Sequence, residues 1–484
     1  MLGFGIKRFG GYVPRLRIDR SAIAEAHKWM APGLRGQAKG SRAFLSWDED
    51  AVTMAVEAAR DCLADAGAGK IEALHLASTS LPYADLQHAS LVASALRLPE
   101  DIASSDGGFS QRAGTSGLLQ ALKAREDARF VATDAPVAKP ASTQEMSYGA
   151  GAAAFLLGTG DDVVAKLIGS ASVTAPFVDH YRAAHSRYDY FWEERWVRDE
   201  GYAKLAPKAI EAALAKTGLA IADIDHFVMP SMQRGAADAV AKKIGFVGKL
   251  ADGLENGVGY AGAAHALLML AHLLEQAVAG DKILVVGFGQ GADALLFEVT
   301  GSIGTARPRR GVSGAIADGV ATESYLRMLS FHGGIDLEWG MRSEKNGKTA
   351  LTEQYRSVDQ IAGLVAGKCR KCGTVQFPQL EYCVKPECTA PAGQFEDLSL
   401  VDEPSQVLTY TADWLSYHPA PPLYVGFAQF ENGARILMEV VDVDAQGLEV
   451  GTPLRLTYRI KERDRVRGYN RYFWKATPIG AVGS

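Results

Sequence analysis

One order of segments occurs twice along this chain, and that repeat restricts its fold more than any other feature. The segment WDEDAVTMAVEAARDCLADAG carries apolar residues at helical spacing behind an acidic first turn, and it stops at Gly67. IEALHLASTS follows as a short buried strand. LAPKAIEAALAKTGLAIADIDHFVMPS replays that order, with IDHF set against IEAL. Farther on, RFVATDAPVA and MSYGAGAAAFLLG return together as DKILVVGFGQGADALLFEV, and the pair Gly149/Gly151 returns as Gly289/Gly291. Four echoes in one order define two similar α/β halves with a shared kind of helix in the middle. Strands alternating with helices call for a βα layer rather than a bundle. The halves are expected over residues 1–165 and 166–303.

The middle helix of the first half follows from residues 105–122, SDGGFSQRAGTSGLLQAL, a Gly-rich turn running straight into small and apolar residues. The pieces GFGQG and GAGAA invite a dinucleotide reading, because glycines let backbone approach a pyrophosphate. Neither opens a helix after a strand at the full spacing, and both precede apolar strand residues, so tight strand packing is the better account. A formal charge of -5 over 484 residues leaves no electrostatic footprint for nucleic acid. The run LLML is broken on both sides by His265, His272 and Glu275, which argues against a membrane span. GFGIKRFGGYVPRLRI alternates apolar and basic residues as a first strand does, unlike a signal peptide. With four of five cysteines clustered like metal ligands, the expected compartment is a reducing cytoplasm.

From residue 304 to about 320 the chain turns polar and Pro/Gly-bearing, and SYLRMLSFHGGIDLEWG and RSVDQIAGLVAG then read as short amphipathic helices, a linker region expected over 304–365. Cys369 and Cys372 in CRKCG, with Cys383 and Cys388 in CVKPEC, form paired knuckles of soft thiolates over residues 366–395. Tetrahedral zinc, or iron in the same cage, requires such a set, and four thiolates leave no open coordination position, so the metal is expected to be structural. Residues 396–484 alternate like strands, with a hairpin signal at Asn432-Gly433, and are expected to form a small barrel. Its aromatic residues and the basic stretch RIKERDRVRGYNRYFWK would suit single-stranded nucleic acid, but solvated strand edges explain the charges as well.

The pieces WDEDAVTMAVEAAR, QRAGTSGLLQAL, GAGAAAFLLG, MPSMQRGAADAVAKKIG, VGYAGAAHALLML and GDKILVVGFGQGADALL resemble the 3-hydroxy-3-methylglutaryl-CoA synthase and ketoacyl synthase III branch of the thiolase superfamily. The resemblance implies a duplicated, layered α-β-α-β-α fold, a homodimer, and a substrate carried on coenzyme A. Residues 325–478, ending in YFWKATP, resemble the zinc-ribbon and oligonucleotide-binding-type barrel that accompanies many acyl-CoA thiolases and aldolases. The departures fall on the chemistry. Gln111 stands where the family carries its cysteine, Ser231 where it carries histidine, Tyr260 where it carries asparagine, and Thr79 where the synthases carry an acidic residue. A primary amide is a donor and acceptor but no nucleophile. Loading ketosynthases also replace cysteine by glutamine, but they keep their histidines. Cys62, in DCLADAG, reads as a buried small hydrophobe.

What the resemblance leaves is a buried helix start whose N–H groups favour an anion whatever the side chains are. The chemistry expected there is cleavage between the α and β carbons of a β-ketoacyl-CoA by water, giving a carboxylic acid and acetyl-CoA. A β-hydroxyacyl-CoA would instead undergo retro-aldol cleavage, and the rival to both is a non-catalytic scaffold for an acyl-transferring complex. A positioned acid or base is worth about 10²–10⁴-fold, so one is needed. The candidates are Tyr260, His180 in FVDHYRAAH, Asp106, Glu145 and Gln111, with Arg112 and Ser231 as substrate contacts. The aromatic segment HYRAAHSRYDYFWEERW reads equally as an aryl acyl pocket or as an amphipathic cover or dimer helix.

Overall fold

In the computed structural model, which describes residues 3–63, 71–341 and 348–479, ten strands form one mixed sheet. They are β1 (Phe4–Tyr12), β2 (Ala73–Ala77), β3 (Ala103–Gly107), β4 (Ala128–Asp134), β5 (Gly151–Thr159), β6 (Ala165–Thr174), β7 (His226–Val228), β8 (Lys249–Leu250), β9 (Lys282–Phe288) and β10 (Gly291–Val299). Their order is β8-β7-β9-β10-β6-β1-β5-β4-β2-β3. Read outward from the middle, each half places its first strand, then its fifth, fourth, second and third. Pairing runs antiparallel, antiparallel, parallel, parallel on both sides. The halves join where Gly5 of β1 lies opposite Lys166 of β6.

Four helices cover the sheet: α1 (Ala51–Leu63), α2 (Ala113–Ala124), α3 (Ala203–Thr217) and α4 (His265–Leu274). α1 packs on β1, β5 and β4, and α3 packs on β6, β10 and β9. α2 and α4 touch each other and strands of both halves, which makes them the middle layer. Small residues allow that depth. A Cβ at Gly114 would stand 2.1 Å from the Ala263 carbonyl, and one at Gly149 would stand 1.9 Å from that of Val258. α1 is capped by Asp50, whose carboxylate accepts the N–H groups of Val52 and Thr53 at 3.0 Å. Its expected stop at Gly67 lies outside the described residues. Residues 105–107, expected as the start of a turn, belong instead to the edge strand β3, because pairing with β2 overrides weak strand formers.

The chain divides into two compact units, one comprising residues up to Ser46, Asp50–Ser90 and Pro99–Ile335, the other Trp47–Glu49, Leu91–Leu98 and the chain from Asp336 onward. The second unit contains a three-stranded sheet of Val375–Gln376, Val365–Cys369 and Phe395–Ser399, and a closed five-stranded barrel. The barrel strands are β11 (Ser405–Asp413), β12 (Leu423–Phe430), β13 (Arg435–Val440), β14 (Pro453–Asp464) and β15 (Tyr469–Pro478). Two of its basic residues are not on solvated edges. Arg459, 1% exposed, pairs with Asp48 at 3.1 Å, Glu49 at 3.3 Å and Asp442 at 2.7 Å. Lys475 pairs with Asp48 at 3.0 Å and Glu439 at 2.9 Å. Buried charges are tolerated only when paired in this way, and here they hold the Trp47–Glu49 segment to the barrel. Among the described residues, no helix is long and apolar enough to cross a membrane.

Candidate active site

The turn between β3 and α2 carries Phe109 at φ +69°, then Ser110, Gln111 and Arg112. It packs against the turn between β9 and β10, where a Cβ at Gly289 would meet Ser110 Oγ at 2.7 Å and the Arg112 nitrogen at 3.1 Å. Arg112 Nε donates to the Gly289 carbonyl at 3.0 Å. Among the described residues, neither the backbone N–H of Gln111 nor that of Gln290 finds an acceptor. Two such donors on adjoining turns, one at the start of a buried helix, suit an oxyanion.

Tyr260 donates its hydroxyl to Gln111 Oε1 at 2.7 Å. It is held there by a short parallel bridge to Tyr148, its N–H bonded to the Ser147 carbonyl at 2.7 Å. Burial first, then the charges of Tyr202, Asp179 and Asp134, push the Tyr260 phenol well above its ordinary value. It therefore donates and does not act as a base.

From Tyr260, contacts run in a ring. Tyr260 stacks on Tyr148, Tyr148 lies against Phe191, and Phe191 stacks on His180 at 5.3 Å between centroids. His180 Nδ1 donates to Asp179 Oδ2 at 2.8 Å, and Gln290 donates to Asp179 Oδ1 at 2.8 Å. Gln290 follows Gly289, which returns the ring to Arg112 and Gln111. Burial works to lower the His180 pKa, but the Asp179 hydrogen bond and the charges of Asp179, Asp189 and Asp134 outweigh it, and the net shift is upward. Nε2 of His180 has no partner among the described residues.

Sequence reasoning missed Asp134, at the end of β4. It is fully buried and accepts from the Thr79 hydroxyl at 2.7 Å, from the Ser80 hydroxyl and from the Ala263 N–H at 2.8 Å. Burial raises its pKa against those hydrogen bonds. A carboxylate closing the otherwise apolar strand RFVATD was the available signal.

The structure places the other candidates away from the ring's centre. Asp106 caps the helix His88–Ala95, accepting the N–H groups of His88 and Ala89 at 2.6 and 2.8 Å and the His88 ring at 2.9 Å. Burial opposes those bonds, yet they hold the carboxylate below its ordinary range. Glu145 is buried with its oxygens engaged by the Tyr325 hydroxyl at 2.7 Å, His27 at 3.2 Å and the Ala141 N–H at 2.8 Å. Arg112, expected to touch substrate, spends its guanidinium on Gly289 and on Asp293 at 3.1 Å, tying α2 to β10. Ser231 turns its hydroxyl into its own loop, bonding the Gln233 backbone. Cys62 is buried on α1, its thiol pushed up to about 12 chiefly by burial, and plays no part in the ring.

In the second unit, the Sγ atoms of Cys369, Cys372, Cys383 and Cys388 all lie within 4.8 Å of one another, with Cys369–Cys388 at 3.7 Å and Cys372–Cys383 at 3.5 Å. A tetrahedron with metal–sulfur bonds of about 2.3 Å puts its sulfurs about 3.8 Å apart. The donor set and its spacing fit zinc, which would brace the ribbon and, with four thiolates bound, leave no position for a substrate.

The duplicated sheet, the buried helix start and the four-cysteine ribbon define a thiolase-like protein fused to a zinc ribbon. Residues 214–298 match the family described as 3-oxoacyl-[acyl-carrier-protein] synthase III C terminal, and residues 363–392 match the ChsH2 rubredoxin-like zinc ribbon domain. The hydroxymethylglutaryl-CoA synthase of Aeropyrum pernix is 32% identical over 320 residues, covering 63% of this chain and 87% of that protein. The chain belongs to the hydroxymethylglutaryl-CoA synthase family of thiolase-like acyl-CoA enzymes. The solved structure of an HMG-CoA synthase complexed with CoA superposes with a TM-score of 0.58 at 17% identity, covering 72% of this chain and 95% of that one. The 3-oxoacyl-(acyl carrier protein) synthase III of Pseudomonas aeruginosa superposes with a TM-score of 0.55 at 21% identity, covering 62% and 98%. Both share the fold.

Proposed function

We propose that the chain cleaves the Cα–Cβ bond of a β-ketoacyl-CoA with water, a hydrolytic retro-Claisen reaction that gives a carboxylic acid and acetyl-CoA. The observation that carries this reading is the pairing of two unengaged N–H donors with a His180–Asp179 pair whose Nε2 is open, at a place where no thiol stands. His180 takes a proton from water, and the oxygen adds to the β-carbonyl. The Cα–Cβ bond then breaks, its electrons passing into the thioester as an enolate held by the Gln111 and Gln290 N–H groups. The proton returns to the α-carbon, so substrate plus one water equals acid plus acetyl-CoA. Tyr260, a donor at neutral pH, fixes the Gln111 side chain beside the enolate. The aromatic residues Tyr148, Phe191 and Tyr260 suit an aryl acyl group, and we propose that two copies of the chain form a homodimer.

The test is benzoylacetyl-CoA in heavy-oxygen water, without free coenzyme A. Labelled benzoate with acetyl-CoA supports the reading. A requirement for free coenzyme A, or no acetyl-CoA from aryl or alkyl β-ketoacyl-CoA, sinks it. If β-hydroxyacyl-CoA instead yields an aldehyde, the reaction is retro-aldol; if neither class reacts, the scaffold reading gains.

A further inference from the structure

We propose that the small cavity behind Tyr148 is a halide site, in which one monatomic anion bridges Arg42 and Arg187, the latter on the segment that carries His180. The site lies outside the reaction read above and does not depend on it. Arg42, Arg187, His332, Tyr148, Met328 and Leu329 are among its lining residues, and its interior has room for little more than one water-sized sphere. That size excludes an acyl chain, a phosphate or a nucleotide, and it leaves a water or a single ion as occupant.

Charge decides between the two. Arg42 is 3% exposed, and it forms no ion pair with any described residue. Its Nε donates to the Glu145 carbonyl at 2.7 Å and its Nη1 to the Ala43 carbonyl at 3.4 Å, while its Nη2 meets Met328 Sδ, a weak acceptor, at 3.3 Å. Burial pulls the Arg42 pKa down to about 10, with Glu145 opposing and Arg20 reinforcing, so the group stays charged at neutral pH. Arg187 spends its hydrogen bonds on the carbonyls of His332 and Gly333, which cancel no charge. His332 is driven down to about 3 by burial first and then by Arg42 and Arg187, so both guanidinium fields reach its ring. That ring is neutral and has one N–H to offer, and neither of its nitrogens bonds a described residue. Glu145 is the one carboxylate on the wall, and its oxygens are taken up by the Tyr325 hydroxyl, His27 and the Ala141 N–H.

A water in this cavity would accept the free N–H groups but leave two positive charges facing one committed carboxylate. A buried charge is tolerated when it is paired, so a monatomic anion fills the same volume at lower cost. Its place also ties two parts of the fold together. Two residues after Arg187, Asp189 accepts the Tyr148 hydroxyl at 2.6 Å, and farther along the same segment Phe191 pairs with His180 in a short hairpin. An anion that draws Arg187 toward Arg42 therefore helps to hold the hairpin that presents His180.

The test starts from the full chain dialysed free of halide into sodium gluconate, whose anion is too large for the cavity. Sodium bromide then replaces gluconate at constant ionic strength, so that screening does not change. The thermal denaturation midpoint is expected to rise by about 2 °C and to saturate, as binding to the folded state alone requires. Amide exchange over residues 180–191 should slow over the same range of bromide. In crystals grown from bromide, anomalous scattering should place an ion within hydrogen-bond reach of the Arg42 guanidinium. Arg42→Gln should abolish the rise and the ion. Arg187→Gln, at an exposed position, should raise the bromide concentration for half effect by about fivefold or more, and it decides the matter if the buried variant does not fold. No rise over gluconate, an ion found only on the protein surface, or a rise that both substitutions leave intact overturns the proposal. An equal rise with acetate overturns it too, since the cavity would then take carboxylates. None of these measurements involves a β-ketoacyl-CoA, so failure of the hydrolytic reading would leave the halide site standing.

Discussion

His180 is the residue on which the proposed chemistry turns, and Asp179 sets its titration. Burial works to lower the His180 pKa, but the Asp179 hydrogen bond, followed by the charges of Asp179, Asp189 and Asp134, leaves it raised. A base acts when deprotonated, so turnover should rise with pH through that elevated value and level off above it. Asp179→Asn deletes the largest upward contribution, so the rising limb of the kcat/KM profile should move to lower pH. A limb that stays in place would remove His180 from the mechanism. Gln111 and Tyr260 were legible in the sequence as candidates, from the motifs QRAGT and VGYAG that hold them, and the structure brings the two into contact. Asp134 was not, since no local pattern shows that Thr79, Ser80 and Ala263 converge on it from three separate segments. Nor could spacing reveal that Glu145 and Asp106 are spent on Tyr325 and on a helix cap.

The elements were legible where hydrophobic periodicity is strong, as in α1, α2 and α3, and where the repeat doubled the signal, as in β4 and β9. β3 was hidden because ASSDG is made of turn residues, and only its parallel partner β2 turns it into a strand. The depth of α2 also has a consequence for stability. In an exposed helix, Gly→Ala gains about 1 kcal/mol from propensity. At Gly114 the new methyl would lie 2.1 Å from the Ala263 backbone carbonyl, an overlap that cannot be relieved by rotating a side chain. Overpacking of that kind costs about 1–3 kcal/mol, so Gly114→Ala should destabilise despite its better propensity. Chemical denaturation should show a lower midpoint, and because the shift moves α2 against the Gln111 turn, activity should fall with it. A higher midpoint would mean that α2 is not held as tightly as its glycines suggest.

At the scale of the whole molecule, the barrel's charges were misread from sequence because a strand's alternation does not say which face meets a neighbouring segment. Arg459 and Lys475 are buried against Asp48, Glu439 and Asp442 rather than solvated. The four cysteines predict one zinc per chain; a strong chelator should raise amide exchange across residues 363–392 while β4 and α2 keep their protection, and Cys383→Ser should lose the metal. The two ends of the large sheet predict the assembly. One end, β8, is two residues long and includes Lys249, an edge too short to template pairing. The other, β3, spans five largely exposed residues; of its outer edge, Gln87 takes up the Ser104 carbonyl. Phe109 follows it, fully exposed at a positive φ where an aromatic side chain gains nothing from water. A long unpaired edge beside an exposed aromatic is an aggregation hazard unless another strand covers it, and a second copy can do so about a two-fold axis, with the same residues facing each other. Light scattering on the purified chain should therefore give the mass of two copies at micromolar concentration. Phe109→Asp, which replaces a side chain fully exposed in one chain, should shift the equilibrium toward one copy without lowering the denaturation midpoint of the isolated fold. A single-copy mass for the unaltered protein, or a dimer indifferent to this substitution, would show that β3 is covered by something other than its own equivalent.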